Sequence, residues 1–142
     1  MSKVFDTAIG EYGEKGVDGN KHNARILTYF RAIGFKQIKD DETAWCAAFV
    51  NWVLWKCGLN GTVSLMARSF LKYGQGTKVP MIGDIVVFWR GTKDGTLGHV
   101  GFYVKETNDL VYVIGGNQAN SVNITAYPKT QVLDYRTFSE KK

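Results

Sequence analysis

Glu42–Gly58, ETAWCAAFVNWVLWKCG, is the most apolar stretch of the chain, and it carries a thiol at its front edge. At 3.6 residues per turn, Cys46, Phe49, Val50, Val53 and Cys57 form one face, while Trp45, Ala48, Trp52 and Trp55 leave the other faces apolar too. A helix that is apolar all round is wrapped by the rest of its protein, so this one is expected to be central. Thr43 reads as its N-cap, Asp41 and Glu42 suit the positive end of the dipole, and Gly58 stops it. That start puts Cys46 at the third helical position, where backbone N–H groups and the dipole stabilise a thiolate and lower its pKa. A buried cysteine is otherwise a small, inert hydrophobe, and Cys57, at the far end, takes that reading. The two lie eleven positions apart, about 16 Å along a helix axis, so a disulfide, which needs Cα atoms within about 7 Å, is not expected.

On either side of this helix the texture differs. KVFDTAIGEY, ending at Gly13, and ARILTYFRAIGF, with Ile26, Leu27, Phe30 and Ile33 on one stripe and Gly34 as its stop, read as helices. SLMARSFLKYG reads as a shorter helix capped by Ser64. After Pro80 come DIVVFWR, HVGFYVKE, LVYVIGG, VNITAYP and VLDYRTF, short β-branched and aromatic runs separated by Gly, Asn, Asp and Pro. Close spacing without intervening helices predicts an antiparallel meander. Helices first and strands afterwards is the α+β pattern, and residues 1–142 read as one domain.

The 142 residues carry a formal charge of +5, spread over isolated side chains such as Lys72, Lys78, Arg90, Lys93, Lys129 and Arg136. No basic helix face with interleaved aromatics is present, which speaks against nucleic acid as the partner. No apolar segment reaches the ~20 residues of a membrane span. The N-terminus lacks the uninterrupted apolar core of a signal peptide, so synthesis in the cytoplasm is expected.

His99 opens a strand on which it shares a face with Gly101 and Tyr103. If Thr107 to Asp109 form a three-residue loop, Glu106 pairs with Leu110, Tyr103 with Val113, Gly101 with Gly115, and His99 faces Asn117. A one-residue slip would turn Asn117 away. Cysteine, histidine and asparagine make a catalytic unit: the thiolate attacks a carbonyl, the imidazole carries the proton, and the amide oxygen orients the ring.

WCAAFVNWVL, PMIGDIVVFW, GHVGFYV and GGNQAN together resemble the NlpC and CHAP group of peptidoglycan cysteine peptidases and amidases, and especially its compact phage and prophage members. The resemblance implies a papain-like α+β fold, with Cys46 as nucleophile, His99 as base and Asn117 as orienting residue. Members of the CHAP group carry a glutamate where this chain has Gly115, and Gln118 is the alternative orienter on the opposite strand face. Trp45, Gly98 and Gln118 are expected to line the substrate cleft. The implied partner is bacterial peptidoglycan, met by a monomer after release or delivery from the cytoplasm, with a holin or an immunity protein as a possible companion. No metal or organic cofactor is implied. The competing reading is a non-catalytic binding module for wall peptides on the same fold. DGNKHN lacks the closing glutamate of a calcium loop, His22 reads as a loop or helix-start residue, Asp84 as a turn holder, and the four tryptophans as core.

Overall fold

Helices precede strands in the structure, as the sequence predicts. The computed structural model describes residues 2–14, 24–32, 34, 45–119 and 121–139. Its α-helices are α1 (Lys3–Ile9), α2 (Ala24–Ala32) and α3 (Cys46–Lys56), followed by a 3₁₀ helix (Ala67–Lys72). The strands are β1 (Gln75–Thr77), β2 (Ile85–Trp89), β3 (Gly98–Glu106), β4 (Leu110–Gln118), β5 (Ser121–Pro128) and β6 (Val132–Thr137).

Helix α3 is central because its sequence gives it no polar face. Every residue from Cys46 to Leu54 is buried. Tyr29 of α2 packs on Trp45, Phe49 and Trp52 at ring distances of 6.0, 5.3 and 5.1 Å. Each large side chain so removed from water contributes about 1.5–3 kcal/mol. The one polar residue inside α3, Asn51, is satisfied: its Oδ1 accepts from the Thr62 and Val63 N–H groups and its Nδ2 donates to the Ser64 carbonyl. That side chain pins the 61–64 segment, where Val63 has a φ of 53°.

The sheet runs β1-β6-β2-β3-β4-β5 with antiparallel neighbours throughout. The meander holds for β2 to β5, but β6 returns to pair with β2. The connection is only a 3₁₀ turn, Lys129–Gln131, so the sheet must curl until β5 approaches β2. The Trp89 indole N–H donates to the Thr130 carbonyl across that gap. Curling gives the sheet two apolar faces. Val87, Val100, Phe102 and Ile114 meet the helices, while Val86, Phe88, Tyr103, Val111 and Val113 form a second core with Tyr127, Val132 and Tyr135.

Two local expectations are corrected, and one strand was not foreseen. The SLMARSFLKYG segment is 3₁₀, and Ser64 closes a turn by accepting from the Met66 N–H instead of capping a helix. Strand β1 is three residues long and carries no apolar alternation, so periodicity could not reveal it. Tyr103 does pair with Val113, but Glu106 pairs with Val111, and an irregularity between Tyr103 and Lys105 absorbs the offset.

Candidate active site

Cys46 is the first residue of α3, not the third, with Trp45 in the cap position and no side-chain cap bond. The expected caps and charges at 41–43, like DGNKHN and His22, lie outside the described residues. Cys46 and Cys57 are both free and buried. The backbone N–H of Val100 on β3 is directed at the Cys46 sulfur, as are those of Cys46 and Ala47 at the helix start. Burial outweighs them and pushes the thiol's pKa up. This overturns the expectation of a thiolate formed by the helix start alone: a dry site penalises charge more than a few N–H groups favour it.

Val100 follows His99, so the thiol lies beside the first residues of β3. His99 points to the other sheet face, where it is 1% exposed. It is stacked on Phe88, its β2 partner, at 6.0 Å and covered by Tyr127 at 5.2 Å. Burial lowers the His99 pKa to about 4, with the Arg90 charge acting in the same direction and the Gln118 bond opposing. No hydrogen bond joins the thiol to the imidazole in this resting state. Both groups are neutral near pH 7.

The partner of His99 is Gln118, not Asn117. His99 Nε2 and Gln118 Oε1 are 2.9 Å apart. The reason is a bulge: β4 pairs Gly115 with Asn123 and then Gln118 with Ser121, with two residues on β4 between the pairs and one on β5. Asn117 takes a left-handed φ of 60° there, a conformation asparagine tolerates better than most residues. The extra residue exchanges the two faces and brings Gln118 to the histidine. A Cβ at Gly115 would lie 2.8 Å from Gln118 Oε1. The amide therefore fills the room above the position where the resembling family carries its glutamate.

Gln118 can face only one way. Its Nε2 donates to the Asn123 carbonyl at 2.7 Å and to Asn123 Oδ1 at 3.0 Å. Asn123 is itself held by donating to the Gln118 carbonyl and the Ser121 hydroxyl and by accepting from Thr125. With the amide N–H₂ engaged, Oε1 is turned to His99, which must donate from Nε2. The tautomer is thus fixed as Nε2–H, and Nδ1 keeps its lone pair for a proton. Sequence reasoning missed Asn123. Its only trace is the alternation of Ser121, Asn123 and Thr125 along one face of β5.

The other expected cleft residues fare differently. Trp45 is fully buried, not substrate-facing, because its ring and Phe49 fill the space over Gly116, where a Cβ would come within 2.8 Å of both. Gly98 is half-buried opposite Trp89 at the mouth of β3. Gln118 is almost wholly buried, with its bonding atoms turned to His99 and Asn123. Trp52 is core, Trp89 is half-buried and Trp55 is exposed. Asp84 holds a turn by accepting from the Met81 N–H. Among the described residues no cluster of His, Cys, Asp and Glu could hold a metal ion, and no helix is long and apolar enough to cross a membrane.

Helices followed by a curled antiparallel sheet, with a thiol at a helix start beside the strand that carries a histidine near its start, define a papain-like α+β protein. The chain belongs to the CHAP domain family, whose model matches residues 38–117. The solved structures similar to it include two from the NLP/P60 group. One is an NLP/P60-family, lipoprotein-like protein from Staphylococcus aureus, with a TM-score of 0.54 at 17% identity over 97% of this chain. The chain spans 41% of that structure's length. The other is RipD from Mycobacterium tuberculosis, a non-catalytic NlpC/p60 domain protein adapted to peptidoglycan binding, with a TM-score of 0.52 at 14% identity over 95% of this chain and 96% of that one. At such identities they speak for the fold alone. No curated protein matches the sequence.

Proposed function

We propose that this protein hydrolyses an amide bond of bacterial peptidoglycan, with Cys46 as nucleophile, His99 as base and Gln118 as the residue that orients the imidazole. The observation that carries this reading is the locked His99–Gln118 pair, which leaves Nδ1 unprotonated. The reaction starts from neutral partners. As Sγ bonds to the substrate carbonyl carbon, its proton passes to Nδ1 directly or through one water. The oxyanion that forms is stabilised by backbone N–H groups at the start of α3. The C–N bond then breaks, the amine leaves with the proton from His99, and a thioester remains on Cys46. Water, deprotonated by the same Nδ1, releases the acid and restores the thiol.

A second reading has an observation of its own. Cys46 and His99 are covered and uncharged, and RipD is an NlpC/p60 protein that binds peptidoglycan without catalysis. On that reading the site grips a wall peptide and stops. Incubating purified wall with the protein and separating the soluble muropeptides by mass spectrometry discriminates between the two. Hydrolysis releases fragments with new amino and carboxyl ends; a binder sediments with intact wall.

A further inference from the structure

The segment KVPMIGD, residues 78–84 between β1 and β2, turns its apolar side chains to water. Val79 is 78% exposed, Met81 72% and Ile82 53%. They are not exposed for want of order. The Asp84 N–H bonds the Met81 carbonyl at 2.9 Å, closing a β-turn in which Gly83 takes a φ of 95°. Asp84 Oδ2 accepts from the Met81 N–H at 2.8 Å, and the Gly83 N–H donates to the Tyr103 carbonyl at 3.0 Å. The Val79 N–H donates to the Thr77 hydroxyl at 3.2 Å, and Pro80 carries no N–H to satisfy. These donors are spent within the protein before any partner arrives.

Water does not require this. An exposed loop can leave its N–H groups to solvent, whereas one that enters a dry medium must satisfy them first. An exposed apolar patch marks a protein or a membrane partner, and its size chooses between them here. A stable protein interface takes about 20–30 residues a side, far more than one turn offers. A bilayer asks only for apolar side chains at the headgroup boundary, with cations beside them. Lys78 leads into the turn, and Lys3 follows Ser2, whose hydroxyl lies against Gly83. Both lysines are exposed, and neither belongs to the ion pairs found among the described residues. The carboxylate of the turn, Asp84, is buried on the Met81 N–H. Its place in the fold also fits. His99 pairs with Phe88 near the far end of β2, about 13 Å along the strand from Asp84, so a surface met by the turn leaves the cleft open.

We propose that the 78–82 segment is a membrane-docking tip. Val79, Met81 and Ile82 enter the headgroup boundary of a bilayer containing anionic lipid, and Lys78 and Lys3 pair with its headgroups. The protein lies on the membrane without spanning it, with the cleft at the end of β2 away from the lipid. This holds whether Cys46 cleaves the wall or only grips it.

The test is co-sedimentation with sucrose-loaded vesicles, one set of phosphatidylcholine alone and one with about a third phosphatidylglycerol. The wild type should partition onto the anionic set at least tenfold more strongly than onto the neutral one, and raised salt should weaken that binding. A variant combining Val79→Ser, Met81→Ser and Ile82→Ser should lose at least tenfold in binding to the anionic set, with unchanged circular dichroism, because the three side chains support no core. Lys78→Gln should lose several-fold. Absence of binding to anionic vesicles, equal binding to both sets, or binding that the serine variant retains overturns the proposal. The last result would reduce it to the attraction of a chain of charge +5 for any anionic surface. A dimer in sedimentation velocity that the serine variant abolishes, without vesicle binding, would give the turn to a second copy and overturn the proposal equally.

Discussion

The two ends of α3 carry the same chemical group in nearly the same degree of burial. Cys46 is 5% exposed and Cys57 8%. Burial alone would assign both to the core. What separates them is the company each keeps. Cys57 has the Thr7 hydroxyl at 3.4 Å and sits where the helix runs out. Cys46 has backbone N–H groups from α3 and β3 directed at its sulfur, the Arg90 charge within reach, and the His99–Gln118–Asn123 relay one residue along the strand. A nucleophile is marked by the polar groups arranged around it, more than by exposure or by an already lowered pKa.

The sharpest way to break the comparison is to remove each thiol in turn. Cys46→Ala should reduce muropeptide release at least 10³-fold, the scale on which a missing nucleophile acts. Cys57→Ala should keep turnover within about twofold, with a stability loss of roughly 1 kcal/mol for the small cavity. Equal loss in both, with unchanged circular dichroism, would erase the distinction.

The next effect tests the relay. Gln118→Ala frees the imidazole to adopt the wrong tautomer, so kcat should fall on the order of 10²-fold while KM moves little. Asn123→Ala loosens the amide without removing it and should cost less, about tenfold. Asn117 shapes the bulge but does not bond His99, so Asn117→Gly should leave kcat within a few-fold and relieve up to ~1 kcal/mol of left-handed strain. A larger loss at Asn117 than at Gln118 would mean that the bulge assignment is wrong.

A smaller effect is read in stability against pH. The His99 pKa is depressed to about 4 from an ordinary 6.5, so between those values the unfolded chain binds the proton that the folded protein refuses. Stability should therefore rise with pH across roughly 4 to 6.5, by about 3 kcal/mol if burial acts fully. His99→Asn should flatten that slope in urea titrations at pH 4.5 and 6.5. An unchanged slope would show that the imidazole is not held neutral by its surroundings.

Helices and strands were legible because their patterns are local: all-round apolarity in 46–57 and period-two runs after Pro80. Cys46 and His99 were legible because a strand start and a helix start are also local features. The hydrogen-bond partner of His99 was not. Its identity depends on a single inserted residue between Gly115 and Gln118, which reverses the faces of every position beyond it. GGNQAN holds a hint, since adjacent glycines followed by asparagine suit a bulge, but the hint does not say where the register changes. Tyr127 was invisible as a neighbour of His99 because it reaches the ring only through the curl that brings β5 to β2.

The most direct measurement is acid-quenched mass spectrometry of the wild-type protein mixed with wall-derived peptides, followed by digestion and mapping. Turnover through a thioester predicts an acyl mass increment on the peptide bearing Cys46, none on the peptide bearing Cys57, and an increment lost in Cys46→Ala. Tight binding of the same peptides with no increment on Cys46 and no new amine in solution would contradict the account and make the protein a binder of the wall.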